Sequence, residues 1–336
     1  MSIEKTLISL ANAVGIGNIR EATDIAETQL SKYAEITHTD NLGILGEIKG
    51  ESDYTLMLEA HIDQIGFTVT DINDNGFLTV ATLGGIDLRT LPSRQVDIHG
   101  KEAVRGVFCA TPPHLAEGEV KYDNISDFKI DTCLGKKAKE IISVGDYVTF
   151  STKAQYLQND RLCGKSFDDR AGVAVLLELA KRFSIKKPPV NLAFCLSDME
   201  ELGLRGAKTS AFAITPDEAI AIDVSFGDGP EINPCDCGKM GKGAMIGISP
   251  VLSREISNKL IYLANKESIP YQTEVMGKST GTDADVISVT KSGVKTGLLS
   301  IPLRNMHTDC EIISLSDIES VCDLLEVYIK GGGING

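Results

Sequence analysis

The chain has 336 residues, 42% hydrophobic and 24% charged, with a formal net charge of −14 at pH 7. Its length and apolar content fit one large domain or two ordinary ones, and its acidic balance excludes a nucleic-acid partner, there being no basic surplus to neutralise phosphates. No apolar run can span a bilayer and no leader-like segment opens the chain, so a cytoplasmic protein with no membrane partner is expected; the lack of Trp argues against an aromatic platform for sugars.

Residues 2–13 and 19–33 carry the apolar spacing of amphipathic helices, with Ile19, Ala22, Ile25 and Leu30 sharing a face in the second. A turn at 40–43 separates two extended stretches. The strand-like run 54–60 leads directly into His61-Ile62-Asp63, whose His and Asp share one face of an extended chain. From 67 to 160 the texture changes. Alternating segments at 77–83, 96–99, 104–108 and 147–152 are divided by Gly, Pro and Asp turns, which predicts a small all-β unit. Buried-strand and helical patterns stand on either side of it. The expected fold is therefore α/β: a mixed-sheet α/β/α domain formed by 1–66 plus 161–336, with an inserted β domain at 67–160. His99 and His114, both in the insert, read as surface or loop histidines.

In GKSFDDRAG (164–172), Asp168 and Asp169 precede a helix at 171–183. Acidic residues there cap a helix or complement its dipole. That role suffices for Asp169; Asp168, beside a glycine-flanked turn, is the candidate ligand. The apolar run 190–196 reads as a buried strand and leads into SDMEELGLRGA (197–207), with Glu200 and Glu201 adjacent. Two neighbouring glutamates repel unless a cation lies close, although for the pair alone a solvated acidic turn is the simpler reading. Another buried strand at 219–222 ends at Asp223. The Gly-rich stretch 238–248 lacks both phosphate-binding glycine patterns, so no nucleotide is assigned. A helix at 253–268, a loop entering a short helix at 280–285 and an apolar strand at 297–301 follow, and His307 stands beyond that strand. The last helix, 316–330, carries a capping box from Ser316 and Glu319, and glycines at 331–333 leave a frayed tail. Of eight cysteines, Cys235 and Cys237 form the one close pair, and no second Cys/His pair stands near them.

His61, Asp168, Glu201, Asp223 and His307 each stand at a strand end or turn. All fall at one predicted edge of the sheet, where open α/β folds bind ligands. Two histidines and three carboxylates suit Zn²⁺, Co²⁺ or Mn²⁺ rather than a thiolate site. Five donors are too many for one tetrahedral ion but suit two ions sharing a carboxylate, the usual hydrolytic pair. Asp63 would then orient the His61 imidazole through its other ring nitrogen.

Six stretches occur in order: AHIDQIGF (60–67), GKSFDDRAG (164–172), SDMEELGLRGA (197–207), AIDVS (221–225), GTDA (281–284) and RNMHT (304–308). Together they resemble the tetrahedral or glutamyl aminopeptidase family, the forty-second family of metallopeptidases, some of whose members carry a cellulase label. The resemblance implies a dinuclear-metal peptidase domain. One ion would rest on His61, Asp168 and Asp223, the other on Asp168, Glu201 and His307, with Asp168 bridging. Glu200 is the implied general base, and Asp63 the residue that orients His61. Two divalent ions per subunit are implied, Zn or Co, with Mn compatible. Short peptides with a free N-terminus are the implied substrates. The insert resembles the family's dimerisation domain, and the implied assembly is a homo-oligomer, a tetrahedral dodecamer built from dimers. Met199, Thr280, Asp285, Thr308 and Asp309 depart from the family's usual residues; they remove no ligand and bear on specificity. Two other functions fit the same residues: a deacylase of N-acyl amino acids on the same metal site, and a non-catalytic assembly protein.

Overall fold

A computed structural model describes residues 1–39, 43–115, 124–230 and 232–335. The turn read at 40–43 falls on residues 40–42, outside those described. Two sheets organise the chain. The larger has 11 strands. At its centre lie four parallel strands, in the spatial order Asn191–Ser197, Thr55–His61, Glu218–Phe226, Lys295–Arg304. Antiparallel strands flank them, Ile44–Ile48 on one side and Glu311–Ser314 on the other. The central strands read as nearly continuous apolar runs because helices cover both faces.

The two faces differ in side-chain size. Leu56, Leu58, Leu192, Phe194, Ile220, Ile222, Leu299 and Ile301 belong to one core with the helices Ile3–Asn12, Phe167–Phe183, Arg254–Glu267 and Leu315–Lys330. The alternate residues Met57, Ala193, Cys195, Ala219 and Ala221 pack with the shorter helices Arg205–Ile214 and Ala284–Ile287. By the same alternation, His61 and Asp223 belong to this second face. The arrangement is the mixed α/β/α fold read from the sequence.

The smaller sheet is a closed six-stranded antiparallel barrel. Around it run Gly66–Ile72, Leu78–Leu83, Ile130–Asp131, Ala103–Phe108, Gln95–His99 and Tyr147–Phe150. Closure leaves no open edge, and one face of each strand fills the interior. Phe67 meets Phe108 and Phe150 edge-on, with ring centroids 5.1 and 5.6 Å apart.

Several local expectations change. Strand Glu218–Phe226 runs past Asp223 because Val224 still serves the core while Asp223 and Ser225 face the other way. The last helix begins at Leu315 with Ser314 at its N-cap position. Ser316 lies inside it, 2.9 Å from the Ser314 hydroxyl, so the capping box from Ser316 and Glu319 does not form. The tail is held rather than frayed: the Ile334 amide donates to Glu218 at 3.1 Å, and Glu218 also accepts the Tyr54 and Tyr328 hydroxyls. His99 is half-buried, its Nε2 2.9 Å from the Thr149 hydroxyl, whereas His114 is exposed.

Candidate active site

The carboxyl ends of the parallel strands open into a cleft of about 260 Å³, lined by His61, Asp168, Glu200, Asp223, Thr280 and His307 among others. His61 closes Thr55–His61 and lies in register with Ser197, the end of the neighbouring strand. The chain beyond Ser197 turns at once and delivers Glu200 and Glu201. Asp168 comes from the entry to helix Phe167–Phe183, where Asp168 and Asp169 have non-helical backbone angles. Asp169 is the effective N-cap: its Oδ1 accepts the Gly172 amide at 2.9 Å. Gly172 permits this, since a Cβ there would stand 2.3 Å from Asp169 Oδ2. Asp169 thus serves the helix, and Asp168 faces the cleft.

Asp168 sits between two imidazoles. Its Oδ1 is 3.0 Å from His61 Nε2, and its Oδ2 is 3.2 Å from His307 Nε2. Glu201 Oε1 stands 3.7 Å from the same His307 nitrogen. His61, Asp168 and Glu201 each offer a ligand atom within 4.8 Å of the others. Asp223 lines the cleft outside that tight group, and its Oδ1 accepts its own Val224 amide at 2.7 Å.

Burial governs the electrostatics. It pushes Glu200 up to about 7, against the pull of His61. Burial and then Asp168 push Glu201 up to about 8, and burial with Asp169 raises Asp223 well above the usual carboxylate range. Asp168 goes the other way: burial opposes its charge, but hydrogen bonds from His307 and His61 outweigh it. The same contacts raise both histidines against burial, His307 to about 9. His61 is the informative group. Its Nδ1 is buried, 3.4 Å from Asp63 Oδ1, with no hydrogen-bond partner among the described residues. If Nδ1–H turns to Asp63, Nε2 and Asp168 Oδ1 meet as two acceptors. A second proton or a cation between them resolves that conflict, so the donor set fits a divalent ion.

A model of the M42 glutamyl aminopeptidase family matches residues 43–324. The chain belongs to that family. It is 29% identical over 316 residues to the lysyl aminopeptidase of Pyrococcus furiosus, covering 91% of this chain and 90% of that one. The TET aminopeptidase of the archaeon Thaumarchaeota SCGC AB-539-E09 superimposes with a TM-score of 0.94 at 29% identity, over 99% and 97% of the two chains. The TET1 peptidase of Pyrococcus horikoshii, described as assembling into a tetrahedron or a large octahedral shell, gives 0.87 at 30% identity over 98% and 99%. Family and fold make this chain an aminopeptidase, a hydrolase of peptide bonds.

Several contacts that shape the M42 site carry no sequence signature. Asp63 does more than face His61: its two oxygens accept the amides of Glu200 at 3.1 Å and Glu201 at 3.3 Å, tying two strand ends together. Buried Glu311 accepts the Phe167 amide at 2.7 Å and the His307 amide at 3.2 Å, joining the two loops that carry Asp168 and His307. The Ser197 hydroxyl lies 2.7 Å from both Glu59 and Asp283, two further buried acids. The barrel also contributes. A Cβ on Gly84 would stand 2.9 Å from Glu201 Oε2, and one on Gly85 3.1 Å from His307 Nδ1, so this turn packs directly on the site. Asp285 and Asp309, noted as departures, have structural partners. Asp285 accepts the amide and hydroxyl of Thr280 at 2.9 and 2.8 Å. Asp309 accepts the Thr152 hydroxyl at 2.9 Å and lies 3.4 Å from Arg94 Nε.

Proposed function

We propose that this aminopeptidase removes single residues from the free N-terminus of short peptides, using two divalent ions and Glu200 as general base. One ion would be held by His61, Asp168 and Asp223, the other by Asp168, Glu201 and His307. Zn²⁺ or Co²⁺, with Mn²⁺ also compatible, suits two imidazoles and three carboxylates. The observation that carries the reading is Asp168, gripped by two imidazoles at 3.0 and 3.2 Å in a buried, carboxylate-rich cleft. Bound ions would lower the pKa of a water and polarise the scissile carbonyl.

The chain's own residues supply the rest. Asp63, 3.4 Å from His61 Nδ1, is the residue that would orient this ring and keep the Nε2 lone pair toward the cleft. Glu200 is the one carboxylate lining that cleft, among the described residues, not assigned to an ion, and it takes a proton from the attacking water and returns it to the leaving amine. Glu311 keeps the Asp168 and His307 loops in register.

Assembly and location belong to the same proposal. The insert at 67–160 is the dimerising unit, and dimers build a tetrahedral dodecamer. Val107, Leu115 and Val144 are large apolar residues exposed on the insert, which supports an interface there. The tetrahedral description of the Pyrococcus horikoshii relative agrees. A cytoplasmic setting accords with eight unpaired cysteines. No helix among the described residues is long and apolar enough to cross a membrane.

The test is a panel of aminoacyl-p-nitroanilides and matched N-acetylated peptides, given to chelator-stripped enzyme reloaded with Zn²⁺, Co²⁺ or Mn²⁺. Metal-dependent cleavage confined to free amino termini is expected. Cleavage of the acylated series alone would make the chain a deacylase, and inertness toward both would leave an assembly protein.

A further inference from the structure

The family is named for glutamyl substrates and one relative for lysyl ones, so the first-residue preference has to come from this chain's own walls. A second cavity, of about 390 Å³, opens beside the cleft and shares Ser225, Phe226 and Thr280 with it. Its other walls include Glu274, Asp236, Met245 and Met276. Among the described residues, no Lys or Arg lines either space.

Glu274 is fixed in place. It lies on strand Tyr271–Val275, in register with Gly247 of strand Ala244–Ile248. The Ser300 hydroxyl donates to its Oε2 at 2.7 Å, and the Ser225 hydroxyl donates to its Oε1. Both serines belong to the strands that carry the site. Ser300 is the register partner of Asp223, and Ser225 stands two residues beyond Asp223. Strands Ala244–Ile248 and Lys295–Arg304 lie between that of Glu274 and that of Asp223, yet the two serines anchor the Glu274 carboxylate to the strands of the site, in a space that shares walls with the cleft.

We propose that Glu274 selects a cationic side chain, lysine foremost, at the first position of the peptide; the inference rests on the aminopeptidase reading above. Two hydroxyls use part of the carboxylate's acceptor capacity and leave lone pairs for the three donors of an ammonium. Met245, Met276 and Phe226 offer adaptable apolar contact to a four-carbon stem. A glutamyl side chain would bring a second carboxylate against Glu274 and Asp236 with no cation in the walls to offset it, which selects against acidic peptides. A leucyl side chain meets no repulsion but leaves the carboxylate unmatched.

The experiment compares kcat/KM for lysyl-, norleucyl-, leucyl- and glutamyl-p-nitroanilide on metal-loaded enzyme, native and Glu274→Gln. Norleucine is the neutral counterpart of lysine in length. The native enzyme is expected to favour lysyl over norleucyl by about tenfold or more, the scale of one charge-assisted contact, and the ratio is expected to fall toward one in the variant. Both substrates meet the same enzyme sample, so incomplete folding or metal loading cancels in the ratio. Competitive binding of lysinamide against norleucinamide is expected to give the same order without turnover. An equal lysyl-to-norleucyl ratio in the two proteins would show that Glu274 only pins its strand and would overturn the inference. A native preference for glutamyl would overturn it as well, with the aminopeptidase intact. Inertness toward every free-amine substrate would remove the aminopeptidase reading and this inference with it.

Discussion

Asp63→Asn tests the tie between the two strand ends that build the site. In the native chain Asp63 Oδ1 accepts the Glu200 amide at 3.1 Å and stands 3.4 Å from His61 Nδ1, while Oδ2 accepts the Glu201 amide at 3.3 Å. Asparagine keeps one oxygen and places an NH₂ where the other was, so one donor now faces another. Leaving a buried donor unsatisfied costs about 1–3 kcal/mol, and the surviving bond weakens by about 1 kcal/mol as its acceptor loses charge. The local loss is therefore about 2–4 kcal/mol, concentrated in the turn that carries Glu200 and Glu201. His61 also loses the partner that fixes its tautomer. Outer partners of metal-binding histidines are typically worth 10–100-fold in affinity, so divalent metal is expected to bind about 10–100-fold more weakly. Urea unfolding of chelator-stripped protein reads the first effect, and competition with a fluorescent chelator reads the second. Native stability together with native affinity would refute both roles of Asp63. Lost stability with unchanged affinity would keep the tie and refute the effect on His61.

Four further outcomes are expected. Glu200→Gln keeps its metal, by elemental analysis, and loses about 10²–10⁴-fold in turnover; full activity would exclude Glu200 as the base. His307→Ala weakens one of two metal positions, and retention of both at native affinity would refute its assignment. Gly84→Ala strains a position at φ +80° and crowds Glu201 Oε2 at 2.9 Å; metal affinity should fall while the barrel's near-UV circular dichroism persists, and unchanged affinity would mean that the turn does not constrain the site. Burial, helped by Arg170 and Lys153, pushes the Lys165 amine from 10.5 down to about 7, so the folded chain binds fewer protons than the unfolded one between those values and stability from this residue rises with pH across that window. Lys165→Met should therefore stabilise most at pH 7 or below and progressively less toward pH 10 in urea unfolding, whereas a gain independent of pH would refute a buried neutral amine.

The layers of this fold were legible because their periods differ. Central strands such as 190–196 are apolar at nearly every position, Asn191 excepted, since both faces are covered, while the barrel strands alternate. The end of strand Glu218–Phe226 was misread because a charge normally marks a strand's exit; here Asp223 and Ser225 face away from the large-residue core and leave Val224 to continue it. Cleft-facing residues such as His61 and Asp168 were legible as polar groups interrupting buried patterns. Glu311 was not, because a glutamate opening a four-residue strand has no local signature; its meaning lies in the amides of Phe167 and His307, distant in sequence. The Gly84 and Gly85 turn was hidden for the same reason. As sequence it is an ordinary barrel turn, and only the docking of barrel on sheet brings it against Glu201 and His307.

The carboxylate-rich cleft is left, among the described residues, without a Lys or Arg partner by where the chain places its buried Arg170 and Lys165. Arg170 is fully buried, yet it donates to the carbonyls of Ile62 at 2.7 Å and Leu10 at 2.5 Å and to the Gln64 amide oxygen at 3.2 Å. Lys165 reaches the same Gln64 oxygen at 3.3 Å. Both side chains spend their N–H groups on neutral oxygens that seat the N-terminal helix on the sheet, although Asp168 lies only two residues from Arg170. The carboxylates of the site are instead held by backbone amides: Asp63 by Glu200 and Glu201, Glu311 by Phe167 and His307, Asp169 by Gly172. Amides fix the direction of a carboxylate without cancelling its charge. Pairing Arg170 with Asp168 would ease the Asp168 repulsion that adds to burial in raising Glu201 and Asp223, and it would also fill the position between the imidazoles. Keeping the guanidinium on the far side preserves rigid, charged oxygens for a divalent ion, the kind of local compromise in stability that a functional site imposes on its fold.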